Sequence, residues 1–132
     1  METKSNEYQL LTQKIKNDAD FSMEDSEYSA QFFGNYLIRI KYKDSVTIEI
    51  VNDRSKIETD VLLSGLLSAE RVPLAFIEEE LLPDKKQVPE YVFENADEAY
   101  DHIVRNKNVL DAVMDKSAQK TILRKWKRKR FL

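Results

Sequence analysis

No cysteine occurs among the 132 residues, and glycine (two), proline (three), histidine (one) and tryptophan (one) are nearly absent. Without cysteine there is no disulfide, no thiolate nucleophile and no cysteine-ligated zinc, and the chain suits a reducing compartment. Two glycines are too few for a G-x-G-x-x-G, Gly34 and Gly65 are too far apart for a P-loop and neither precedes a lysine, and no G-x-S-x-G nucleophile elbow is present. The longest apolar run is four residues, against the ~20 that span a bilayer. The opening METKSNEYQL has no apolar signal region. A cytoplasmic chain with no membrane span is therefore expected. It is read as a non-enzyme, with no catalytic residue, no cofactor and no metal.

What is present is periodicity. The length suits one α+β domain over residues 1–132. Tyr8, Leu11, Ile15 and Ala19 recur at helical steps and predict a helix over Ser5–Ala19. Residues 20–29 are acidic and polar around Met23 and read as a connection. From Phe32 to Leu63 the pattern switches to period two, which predicts an antiparallel meander of about three strands. Ile38, Ile40 and Tyr42 share one face, as do Val46, Ile48 and Ile50, so the sheet has a dry and a wetter side. Lys43-Asp44-Ser45 is a turn between them. On the wetter side Arg39 and Lys41 lie across from Glu49 as cross-strand charge pairs. Ile57, Thr59, Val61 and Leu63 make the third strand, with Asp60 as a helix cap the competing assignment. Gly34 marks a bulge or close approach.

The remainder reads as helices packed on the sheet. Pro73 opens a helix ending near Leu82 at Pro83, with Leu74, Ile77 and Leu81 inward. Residues 89–93 form a short extended piece. Asn95 caps the next helix with Glu98 three residues on, and Asn108 caps a second. Residues 116–132 form a basic C-terminal helix on which Ala118, Ile122 and Trp126 align.

Candidate chemistry is sparse. His102, the sole histidine, sits four residues after Glu98, but metal sites need three or four ligands, and it reads as a structural residue at a helix interface. Glu78, Glu79 and Glu80, with Asp84 nearby, point about 100° apart on a helix and read as a solvated face rather than a cation site. Glu58 and Asp60 share a strand face at a spacing usable by a metal-dependent nuclease, with Lys56 on the same face. Alternation in amphipathic strands produces such pairs without any chemistry.

Charge is divided unevenly. Eight of the 21 Lys and Arg fall in residues 116–132, which hold no acid, so residues 1–115 carry 13 basic and 24 acidic side chains, net −11. The basic run Arg124, Lys125, Trp126, Lys127, Arg128 suits contact with nucleic-acid phosphates and a stacked base. It equally suits a helix docked on the acidic body through Ile122, Leu123 and Trp126. The acidic body would attract a basic protein and speed its association. Phe33-Gly34-Asn35 opening one strand, a second apolar strand, and Asn52-Asp53-Arg54 at the following turn resemble segments of small bacterial α+β proteins of the toxin-immunity kind. The resemblance spans about 30 of the 132 residues. It implies a non-enzymatic partner binder in a bacterium; with the acidic body, the expected function is a protein-binding module, most concretely an immunity-type inhibitor. Asp53, Arg54, Glu58 and Asp60 are the candidate partner-binding residues, and Tyr28, Phe32 and Tyr91 candidate loop anchors. The alternative function is nucleic-acid association through the basic helix.

Overall fold

The computed structural model describes residues 2–29, 35–53, 56–64, 69–81 and 93–130. The elements are α1 (Glu2–Lys16), β1 (Phe21–Ser29), β2 (Asn35–Tyr42), β3 (Val46–Asp53), β4 (Lys56–Ser64), β5 (Ala69–Pro73), α2 (Leu74–Leu81), α3 (Ala96–Arg105), α4 (Lys107–Val113) and α5 (Lys116–Arg130). The α+β class and the order helix, meander, helices hold. The meander, however, has five strands in the order β1-β2-β3-β4-β5, all antiparallel to their neighbours.

Two strands depart from the sequence reading. Residues 21–29 are β1, not part of a connection. Their pairing with β2 shifts between Met23 and Asp25, and such a bulge breaks the period-two pattern that marks a strand. Tyr28 is consequently a strand residue paired with Tyr36 rather than a loop anchor. The second departure is β5, where only Val72 is buried, so a five-residue strand carries too little alternation to be recognised. Pro73 closes β5 instead of opening α2; as the last residue of an edge strand it breaks no interior ladder. Residues 56–64 are strand, which removes Asp60 as a helix cap. Gly34, Phe32, Tyr91, Asp84 and Arg54 lie outside the described residues, as does the extended piece before Phe93.

The dry face is built as the alternation requires. Ile38 pairs with Ile50, Ile40 with Ile48, and Ile48 with Val61. These side chains join Leu11 and Ile15 of α1, Tyr100 and Ile103 of α3, Val109 and Leu110 of α4, and Ile122 and Leu123 of α5 in one core. Each fully buried isoleucine contributes roughly 1.5–3 kcal/mol from removal of apolar surface from water. Phe21 brings β1 into the core between Tyr42 and Tyr100, with ring centroids 5.2 and 5.6 Å away. Between β2 and β3 the Ser45 amide donates to the Tyr42 carbonyl at 2.9 Å. Lys43 and Asp44 take φ of 48° and 56° there, a left-handed pair whose twist matches the flanking strands.

Polar contacts fix the helices. Asn95 Oδ1 accepts the Glu98 amide at 2.8 Å, the anticipated N-cap. The next cap position is Asn106, not Asn108: α4 starts at Lys107, and Asn106 Nδ2 donates back to the His102 carbonyl at 2.8 Å. α1 stops at Lys16, short of Ala19, because Asp18 Oδ1 accepts the Asp20 amide and turns the chain. Lys107 then ties Asp18 and Asp20 to α4, at 3.3 and 2.9 Å. The Tyr42 hydroxyl donates to Asp111 Oδ1 at 2.7 Å, which fastens β2 to α4.

The chain ends of β2 and β4 and the starts of β3 and β5 share one end of the sheet. α5 lies at that end: Ile122 and Leu123 enter the core, and Lys127 reaches Glu70 at 3.3 Å.

Candidate functional site

The face of the sheet away from the helices is the wetter one. Strand alternation places Arg39 and Lys41 there from β2, Glu49, Val51 and Asp53 from β3, Glu58, Asp60 and Leu62 from β4, and Arg71 from β5. Of these only Glu49 is buried, at 1 % exposure.

Glu49 is the centre of this face. Arg39 Nε donates to its Oε2 at 2.9 Å and Arg71 Nε to its Oε1 at 2.6 Å. Burial alone would push its carboxyl up, yet the hydrogen bonds and charge of Arg71 and Arg39 hold it below the usual carboxylate range. The Arg39 pairing follows from the strand register. Arg71 was not foreseeable without β5. Lys41 pairs with Thr47 and does not reach Glu49.

Asp60 lies directly across the ladder from Glu49. Partial burial raises its carboxyl, and the charges of Glu58 and Glu49 raise it further against the pull of Arg71. Among the described residues Asp60 has no hydrogen-bond or ion-pair partner. Glu58 is exposed and pairs loosely with Lys56 at 3.6 Å. Asp53, at the end of β3, accepts from Asn35 Nδ2 at 3.2 Å. Register therefore brings Asp53, Glu58 and Asp60 onto one face, toward the end away from α5. Glu58 and Asp60 could act as a metal pair only with a third ligand. Among the described residues no three His, Asp or Glu side chains converge in that way.

The basic helix is docked. The Trp126 ring meets Phe76 edge-on at 5.1 Å, and the Lys129 ammonium sits 5.3 Å from the centre of the same Phe76 ring. Lys125 pairs with Glu80 at 2.9 Å and Lys127 with Glu70 at 3.3 Å. Of the five residues considered for nucleic acid, Lys125 and Lys127 are thus engaged and Trp126 is packed. Arg124 and Arg128 remain exposed. Among the described residues the buried Trp126 Nε1 has no hydrogen-bond partner, and the ring packs on Phe76.

One polar pair escaped the sequence reading. His102 Nε2 lies 2.8 Å from Glu78 Oε1, with Glu78 wholly buried, joining α3 to α2. The partner is Glu78, 24 residues away in sequence, rather than Glu98. Glu78 is therefore not part of a solvated face. Glu79 is exposed and Glu80 half-buried, so the three carboxylates do diverge. Phe93 packs against the His102 ring at 5.5 Å, which makes this an interior join, as expected of a structural histidine.

No family model, curated protein or solved structure matches the chain. No helix among the described residues is long and apolar enough to cross a membrane.

Proposed function

We propose that this chain is a non-enzymatic protein-binding module, an inhibitor of the immunity kind acting in a bacterial cytoplasm. It would present the acidic end of its open sheet face to a basic partner. The observation that carries this reading is Asp60: a partly buried carboxylate, raised by burial and by the charges of Glu58 and Glu49, with no hydrogen-bond or ion-pair partner among the described residues, on the face that also carries Asp53. A cation from a partner would relieve that repulsion and replace the water lost on contact. The surrounding negative potential would steer a basic surface toward the face.

The test is association with the product of the gene immediately upstream, followed by stopped-flow at several salt concentrations. The wild-type chain should form a complex whose on-rate falls with salt. Asp60→Lys with Glu58→Lys should slow association at least tenfold. Absence of a complex, or indifference to this charge reversal, would sink the proposal.

A second reading rests on Arg124 and Arg128, which are exposed and, among the described residues, unpaired. They would let α5 touch nucleic-acid phosphates while Trp126 stays docked. RNA and DNA binding measured with and without Arg124→Ala and Arg128→Ala tests it; unchanged affinity removes the reading.

A further inference from the structure

Where α5 meets the open face a groove of about 660 Å³ crosses the sheet. Its floor takes residues from all five strands, from Glu24 on β1 to Ala69 on β5, and its wall is the first turns of α5. Among the described residues four cations line it: Arg39, Lys41, Lys116 and Lys120. Arg39 is committed to Glu49. Lys41, Lys116 and Lys120 have no acid partner among the described residues. In a chain of net −3, whose other described lysines largely find carboxylates, three ammonium groups on one groove without an acid partner among the described residues are a local reversal of sign.

We infer that this groove receives an extended acidic segment of a partner polypeptide, its carboxylates placed on Lys41, Lys116 and Lys120. The inference rests on the protein-binding reading above and adds a second contact of opposite sign at the other end of the same face. Its length follows from sheet geometry. Five strands span four spacings of about 4.8 Å, or about 19 Å, which an extended chain of about six residues covers at 3.3 Å per residue. Val46, Leu62 and Met114 supply apolar lining for alternate side chains, and Ser45, Thr47 and Gln119 supply hydrogen-bonding groups.

Nucleic acid fits less well. Among the described residues no aromatic side chain lines the groove, so those residues give bases nothing to stack on. Glu24 sits in the floor, where it would repel a continuous run of phosphates but can be straddled by spaced carboxylates. The end of α5 is not itself the site, because Asp115 Oδ1 already accepts the Ser117 amide at 3.2 Å.

The experiment is fluorescence anisotropy of the full chain with three labelled probes: a hexapeptide alternating glutamate and leucine, its lysine counterpart, and a single-stranded hexanucleotide. The acidic peptide should bind, more weakly as salt rises, and the lysine peptide should not. The triple variant Lys41→Glu, Lys116→Glu, Lys120→Glu should lose at least tenfold in affinity, with folding checked by circular dichroism. The neutral Lys→Gln triple should lose at least fivefold, and it serves if the charge-reversed chain does not fold. No binding of the acidic peptide, tighter binding of the hexanucleotide, or equal affinity of the variants would overturn the inference. Asp60→Lys should leave peptide affinity unchanged while slowing the basic partner, so failure here and failure of the acidic-face reading are told apart.

Discussion

The two sides of the sheet use charge in opposite ways. On the helix side, carboxylates fasten one element to another. Asp111 holds β2, Asp18 and Asp20 hold α4 through Lys107, and Asp97 and Asp101 hold α1 through Lys14. Glu80 and Glu70 hold α5. On the open side a single carboxylate, Glu49, takes two arginines, and the acids beside it are left weakly partnered or alone. The difference separates charge spent on assembling the fold from charge left available to another molecule. Surface ion pairs add at most about 1 kcal/mol each, so the helix-side pairs set orientation while the shared core supplies stability.

If that division holds, the largest loss comes from the dry side. Ile48→Ala removes a wholly buried side chain between β2 and β4 and should cost about 2–5 kcal/mol. Leu62→Ala, half-exposed on the open side, should cost about 1 kcal/mol or less, in line with its smaller burial. Urea denaturation at constant m-value measures both. Equal losses would mean that the open side is a second core and not a free surface.

Glu49 and Asp60 offer a sharper contrast, since they face each other across one ladder and shift in opposite directions. Glu49→Gln loses charge-assisted hydrogen bonds to two arginines and should cost about 1–3 kcal/mol at pH 7. Because its folded pKa is lowered, Glu49 contributes stability above the ordinary carboxylate pKa, and that contribution fades as pH falls through the folded value. The raised pKa of Asp60 works the other way: its relative stability is fullest below its ordinary 3.8 and is lost as pH rises through the folded value. Asp60→Asn should therefore raise the melting temperature at pH 7 and have no such effect below pH 3.8. A destabilised Asp60→Asn at neutral pH would show that Asp60 serves the fold.

Much of this layout is legible in the amino-acid sequence, and the exceptions have physical causes. Strands β2, β3 and β4 alternate cleanly because one side is covered by helices, and the same alternation places Asp53, Glu58 and Asp60 on one face. β1 is hidden because its bulge shifts the register midway, and β5 because a single buried valine gives no period. Losing β5 also hides Arg71, and with it half of the Glu49 cluster. The Glu78–His102 pair depends on how α2 and α3 meet, and nothing local to either residue signals it. The basic groove is further removed still: it exists only because α5 crosses the sheet end beside Lys41.

The smallest effect concerns whether α5 is held by charge or by contact. Lys125 and Lys127 are 52 % and 40 % exposed in their side chains, and water screens pairs of that kind. Lys125→Ala with Lys127→Ala should lower stability by about 1 kcal/mol or less in all, and the difference should shrink further in high salt. Trp126→Ala removes a partly buried ring from Phe76. Its loss should exceed that of the two lysines together and persist in salt, because dispersion and apolar burial are not screened. Thermal melts at low and high ionic strength rank the three substitutions. If the double lysine variant falls further than Trp126→Ala and salt removes the gap, α5 is docked by charge. The helix side would then resemble the open side, with its cations as available to an outside anion as Lys116 and Lys120 are.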